Sequence, residues 1–144
     1  MKTPDFEGLL RALTVGEVEF VLVGGYSAML HGSSLMTRDV DVVCPMSLEN
    51  VHRLSAQLFT RQDAERDDWK NLYLKTDLGV LDCLSEVKGL GDYDACRQRS
   101  IRIELGDLLI RGLSLDALIE AKRAMGRPRD LHTAEELEMI RTRQ

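Results

Sequence analysis

The sequence predicts an α/β (α+β) fold, a mixed β-sheet packed against helices. Apolar runs of strand length alternate with stripes of helical spacing along the chain. One pair of strand-like runs is separated by four turn residues, which makes a hairpin and so an antiparallel pair. Other runs are joined through helices, the connection that parallel strands require.

Each element has its own reason. Residues 5–13 place Phe6, Leu9, Leu10 and Leu13 on one helical stripe. Phe20 to Val23 is a continuous apolar run suited to a central strand. Gly24 and Gly25 close it, and Tyr26 to His31 forms a short helix stopped by Gly32. Asp39 to Cys44 is a second strand, ended by Pro45. Ser47 then caps a helix with Leu48, Val51, Leu54, Leu58 and Phe59 as its apolar positions. Asn71 to Lys75 and Val80 to Leu84 form the hairpin around Thr76-Asp77-Leu78-Gly79. Two short strands, Ile101–Glu104 and Leu108–Ile110, flank Gly106-Asp107. Two helices follow, over 114–125 and 131–142. No linker, repeat or low-complexity stretch divides residues 1–144, so a single domain is expected.

Composition narrows the function classes. Hydrophobic residues make up 44% and charged residues 30%, a soluble globular balance that argues against disorder. The net charge of −5 argues against a general nucleic-acid binder, though a local basic face can still hold phosphates. Cys44, Cys83 and Cys96 are odd in number and lack a CxxC pair, which suggests reduced thiols. There is no apolar signal core at the N-terminus and no run of membrane-spanning length, so a cytoplasmic location is expected.

Four features carry chemistry. Asp39 and Asp41 lie two apart on a strand, so both carboxylates project from one face, roughly 6–7 Å apart. Side by side they repel unless a cation binds, and Mg²⁺, with its preference for hard oxygen ligands shared with phosphates, is the natural candidate. The plain alternative pairs them with arginines such as Arg38. Asp82 stands in Gly79-Val-Leu-Asp-Cys-Leu84, where Val80, Asp82 and Leu84 share one face and Leu81 and Cys83 the other. A carboxylate within an apolar strand is either a satisfied core polar group or a third member of the same site. In the second case it could ligate a metal and take the proton of an attacking hydroxyl. Gly24-Gly25 is either a tight turn or a phosphate cradle of backbone N–H groups at a helix start, with Ser27 adding a hydroxyl. It is not a P-loop, because no G-K-[ST] follows. Lys122 continues the stripe Leu115, Leu118, Ile119. It either snorkels at a helix end or reaches inward to phosphates. Arg123, Arg127, Arg129 and Asp130 follow it closely.

Gly24-Gly25, then Asp39-Val-Asp41, then Asp82 in a later strand resembles the DNA polymerase β-like nucleotidyltransferase superfamily, whose pattern is hG[GS], Dh[DE]h and a separate h[DE]h. Ala121-Lys122 through Arg127-Pro-Arg-Asp130 looks like the ending of its small bacterial and archaeal members, including AbiEii-type toxin relatives. The resemblance spans roughly residues 18–130. It implies a minimal palm-like fold, with two Mg²⁺ ions (or Mn²⁺ in their place) on Asp39, Asp41 and Asp82. The first two would bridge both ions, and Asp82 would serve the ion nearest the acceptor. It also implies transfer of a nucleoside monophosphate from an NTP such as ATP to a hydroxyl. Catalysis of that kind is mostly positioning and charge neutralisation. The amides of Gly24 and Gly25, with Ser27, would hold the β- and γ-phosphates, and Lys122 would steady the triphosphate. The pattern allows glycine or serine after its first glycine, and Gly25 leaves any phosphate-binding hydroxyl to Ser27; the chain is also short. RNA, a protein or a small molecule could be the acceptor, with Arg97, Arg99 and Arg102 as a basic rim for RNA. A homodimer could complete the site, or an antitoxin could partner a toxin. The reading from another class is a weakly catalytic NTP- or partner-binding module on the same fold.

Overall fold

A computed structural model describes residues 3–57 and 71–144. Its elements run in the order α1 (Phe6–Val15), β1 (Val21–Val23), α2 (Gly24–Leu30), β2 (Asp39–Val43), α3 (Leu48–Gln57), β3 (Asn71–Thr76) and β4 (Gly79–Leu84). After these come β5 (Glu86–Val87), β6 (Gly91–Asp92), α4 (Tyr93–Gln98), β7 (Ser100–Leu105), β8 (Leu108–Leu113), α5 (Leu115–Met125) and α6 (Pro128–Thr142). Six strands form one mixed sheet in the order β3-β4-β2-β1-β8-β7, and β5 pairs with β6 in a small ribbon. Contacts β1–β8 and β2–β4 are parallel. Contacts β1–β2, β3–β4 and β7–β8 are antiparallel.

Strand alternation divides the core between the two faces of the sheet. Leu22, Val40, Val42, Cys44, Leu81 and Cys83 bury one face against Leu9, Leu10 and Leu13 of α1 and Leu54 of α3. Val21, Val23, Val43 and Leu113 bury the other against Leu118 and Ile119 of α5 and Ala134 and Leu137 of α6. The three cysteines are free and buried. Asp39, Asp41 and Asp82 belong to the second face by the same alternation, because Val40, Val42 and Leu81 occupy the first.

Several boundaries differ from the sequence expectation, each for a local reason. The first helix runs on to Val15, with the Asp5 carboxylate accepting from Gly8 N at 2.8 Å as its N-cap. α2 begins at Gly24 itself, so the glycines are its first turn and not a loop ahead of it. α6 begins at Pro128 rather than near 131, because proline suits the first helical position. β8 extends to Leu113, where Gly112 pairs with Leu22. Ser47 does cap α3, accepting from Asn50 N at 3.1 Å, but Leu48 is 70% exposed and leaves the apolar stripe. Leu58 and Phe59 lie outside the described residues. α4 and the β5–β6 ribbon were not expected from the sequence. Among the described residues no helix is long and apolar enough to cross a membrane.

Candidate active site

The sheet register assembles the acidic centre. β2 and β4 run parallel with Asp41 directly opposite Asp82, so these two carboxylates are nearest neighbours on one face. Asp39 lies two residues back on the same face, and Val23, the last residue of β1, flanks Asp41 on its other side. Gly24 follows at once with φ of 71°, the left-handed region that glycine tolerates. A Cβ at Gly24 would run into the Asp41 carboxylate. The glycine therefore lets the start of α2 pass directly over Asp41. Gly25 has a separate reason to be glycine: a Cβ there would sit 3.1 Å from the Thr37 Cβ, against the segment that leads into β2. Thr37 in turn braces that strand, donating from Oγ1 to the Asp39 carbonyl at 3.1 Å.

Electrostatics mark Asp41 as the strained member. Burial pushes its carboxyl up to about 6, the neighbouring charges of Asp82 and Asp39 push the same way, and Lys122 pulls back. Among the described residues no ion pair joins Arg38 to Asp39 or Asp41, so the plain alternative read from the sequence has no contact behind it.

Two clefts meet at Asp41. One, of about 530 Å³, is walled largely by apolar side chains: Val23, Leu84, Val87, Leu118 and Met125, with Lys88 among its polar lining residues. The other, of about 440 Å³, is polar and includes Thr37, Arg38, Asp39, Arg129 and Asp130. Asp41, Lys122 and Arg127 line both. Gly24 lines the apolar cleft and Gly25 the polar one. Lys122 thus turns toward the acidic centre, its side chain 15% exposed, at the C-terminal end of the buried α5 stripe. Ser27 lies in α2 with its side chain fully enclosed, and its Oγ has no hydrogen-bond partner among the described residues. Arg97, Arg99 and Arg102 line neither cleft. Arg99 is paired with Glu120. The sequence reading left out the apolar walls and the parts played by Arg38 and Thr37, since these residues converge only through tertiary packing.

The donor set suits a hard divalent cation held in part by the protein. Among the described residues no group of three or more Asp, Glu, His or Cys side chains gathers closely enough to enclose an ion by itself. Yet the repulsion that raises Asp41 is the kind a cation relieves, and the clefts leave room for substrate oxygens to complete its shell. Magnesium ordinarily binds this way, through one or two carboxylates plus phosphates.

No family model matches the chain, and no curated protein does. Solved structures do. The lincosamide antibiotic adenylyltransferase LnuA, determined with lincomycin bound, superposes with a TM-score of 0.65 at 15% identity, covering 94% of this chain and 96% of its own. A Thermotoga maritima protein assigned as a nucleotidyltransferase gives 0.63 at 17% identity, covering 100% and 97%. ANT(2")-Ia, in complex with adenylyl-2"-tobramycin, gives 0.59 at 17% identity, covering 95% and 92%. The sheet, the glycine turn over β2 and these superpositions agree: the chain is a minimal nucleotidyltransferase-fold protein.

Proposed function

We propose that the protein transfers a nucleoside monophosphate from an NTP to an acceptor hydroxyl, with Asp39, Asp41 and Asp82 as the catalytic carboxylates. The observation that carries this is Asp41, paired in register with Asp82, lying beneath the Gly24 turn and lining both a polar and an apolar cleft. Mg²⁺ (two ions, or Mn²⁺), held by the three aspartates, would neutralise the charge of the transferred and leaving phosphates. The chain's own groups do the remainder. Gly24 and Gly25 offer close backbone approach to the phosphates, and Lys122 and Arg127 offset their charge from the wall between the clefts. Ser27 contributes only if the first turn of α2 opens, because its hydroxyl is enclosed. The acceptor oxygen attacks the α-phosphorus, the bond to the β-phosphate oxygen breaks, and pyrophosphate leaves. The hydroxyl proton passes to Asp82.

For the acceptor we favour a small molecule. A largely apolar cleft of about 530 Å³ beside Asp41 has the size of a small-ligand site. Two of the structural neighbours are antibiotic-modifying or antibiotic-bound proteins. RNA or a protein hydroxyl, with the chain as one half of a toxin–antitoxin pair or as a homodimer, would need a further surface beyond this cleft. A non-catalytic NTP-binding module would hold Mg–NTP through the same carboxylates, and it is told apart by the absence of pyrophosphate release.

The test is calorimetric titration of each of the four Mg–NTPs into the wild type and into Asp39→Asn/Asp41→Asn. Binding to the wild type that needs Mg²⁺ and vanishes in the double variant is the expected result. Failure of every NTP to bind the folded wild type in excess Mg²⁺ would sink the reading.

A further inference from the structure

Among the described residues Asp130 is the one buried charged residue, 2% exposed. Its carboxylate meets two cations. Arg127 donates to it twice, from Nε to Oδ2 at 2.5 Å and from a terminal nitrogen to Oδ1 at 3.2 Å. The Lys122 Nζ lies 3.7 Å from the same Oδ1. The corner that makes this possible is short: Lys122 sits near the end of α5, Gly126 turns the chain at φ of 72°, and Arg127 is the residue before α6. Asp130 then falls in the first turn of α6, where the helix end favours a carboxylate.

Stability does not ask for this arrangement. A buried ion cluster costs desolvation that pairing at best recovers, and apolar side chains of similar volume often do as well. What the cluster does achieve is placement. Lys122 and Arg127 both line both clefts, and the charge of Lys122 acts on Asp41 as well as on Asp130. Arg127, with 48% of its side chain exposed, has the Asp130 fork as its only ion pair among the described residues.

We propose that Asp130 is the positioning residue of the site that receives the donor phosphates: it fixes Lys122 and Arg127 on the wall shared by the two clefts and keeps Lys122 from closing onto Asp41. The proposal rests on the nucleotidyl-transfer reading above. Without the Asp130 carboxylate, Arg127 loses its two-point grip and turns to solvent. Lys122 is then free to move toward Asp41, whose charge it already feels, and to occupy the space that cation and phosphate need.

The experiment compares wild type, Asp130→Asn, Asp130→Glu and Arg127→Lys by calorimetry. The probes are the best-binding Mg–NTP, Mg–tripolyphosphate and the matching nucleoside monophosphate, with melting curves alongside. Asp130→Asn is expected to weaken the NTP and tripolyphosphate by about tenfold or more while leaving the monophosphate essentially unchanged. Asp130→Glu, which keeps the charge, should recover most of that loss. Arg127→Lys changes a half-exposed side chain, keeps the charge and removes the fork. It should weaken the two polyphosphates several-fold with an unaltered melting temperature. Wild-type affinities in a folded Asp130→Asn, an Asp130→Glu no better than Asp130→Asn, or equal losses for all three probes would each overturn the proposal. If Asp130→Asn does not fold, Arg127→Lys decides alone, and wild-type affinity there overturns it. A wild type that binds no Mg–NTP removes the nucleotidyl-transfer reading and this inference together. Binding by the wild type with unaffected variants removes only the inference.

Discussion

Asp41 carries a cost that is measurable without any substrate. Its carboxyl is pushed up to about 6, first by burial and then by Asp82 and Asp39, so the folded state holds the proton more tightly than the unfolded chain does. Below about pH 4 the group is protonated in both states and adds no penalty. The penalty grows as pH rises through the interval up to about 6, and above it the folded state bears the whole cost. Asp41→Asn should therefore be more stable than wild type near neutral pH without divalent cations, by on the order of 2 kcal/mol. The advantage should fade toward about pH 4, which urea unfolding at several pH values would reveal. An Asn variant that is less stable at neutral pH would contradict the assignment. Strand alternation put Asp39 and Asp41 on one face, which is why that pair was readable from the sequence, whereas Asp82 joins them only through the pairing of β2 with β4 and was placed with them in advance by the family resemblance. Asp130 was visible there only as one member of a charged cluster, because its enclosure depends on how α6 folds back on α5.

The elements around the site are tied down by side chains that no periodicity announces. Asn50 is 4% exposed and closes three backbone groups. Its Oδ1 accepts from Glu19 N at 2.7 Å, and its Nδ2 donates to the carbonyls of Glu19 and Pro45, each at 3.1 Å. That one residue pins α3 to the approach of β1 and to the end of β2. Asn50→Ala leaves those buried groups unpaired and should cost about 2–3 kcal/mol, read from the denaturation midpoint. A loss below about 0.5 kcal/mol would mean that the pinning is incidental. Glu136 plays the matching part for the loop before β2. It accepts from the hydroxyls of Ser33 and Ser34 at 2.5 and 2.6 Å, and those bonds hold its carboxyl below its usual range. Long strands and stripes such as β2, the β3–β4 hairpin and α5 were readable because their patterns repeat. The two-residue β5 and β6 and the six-residue α4 are too short to show a period. α4 is held at its start by Asp92, which accepts from Ala95 N at 3.0 Å, a cap the sequence reading did not use.

Across the whole chain the strand order matters more than the strands. The order β3-β4-β2-β1-β8-β7 puts the acidic strands β2 and β4 side by side, although α3 and β3 separate them in sequence. The sequence announced a mixed sheet with a hairpin but not this order, which depends on pairings between distant segments. The same order places β1 against both β2 and β8, and α5, which follows β8, brings Lys122 into the cleft that Asp41 lines. Because Asp41, Lys122 and Arg127 line both clefts, the two compartments lie side by side across a wall made in part of those side chains. A synthetic inhibitor can exploit that adjacency. An anionic fragment for the polar side and an apolar fragment for the other, joined by a linker that crosses the shared wall, should bind on the order of a hundredfold tighter than either piece. A linker too short to span the wall should lose that gain entirely.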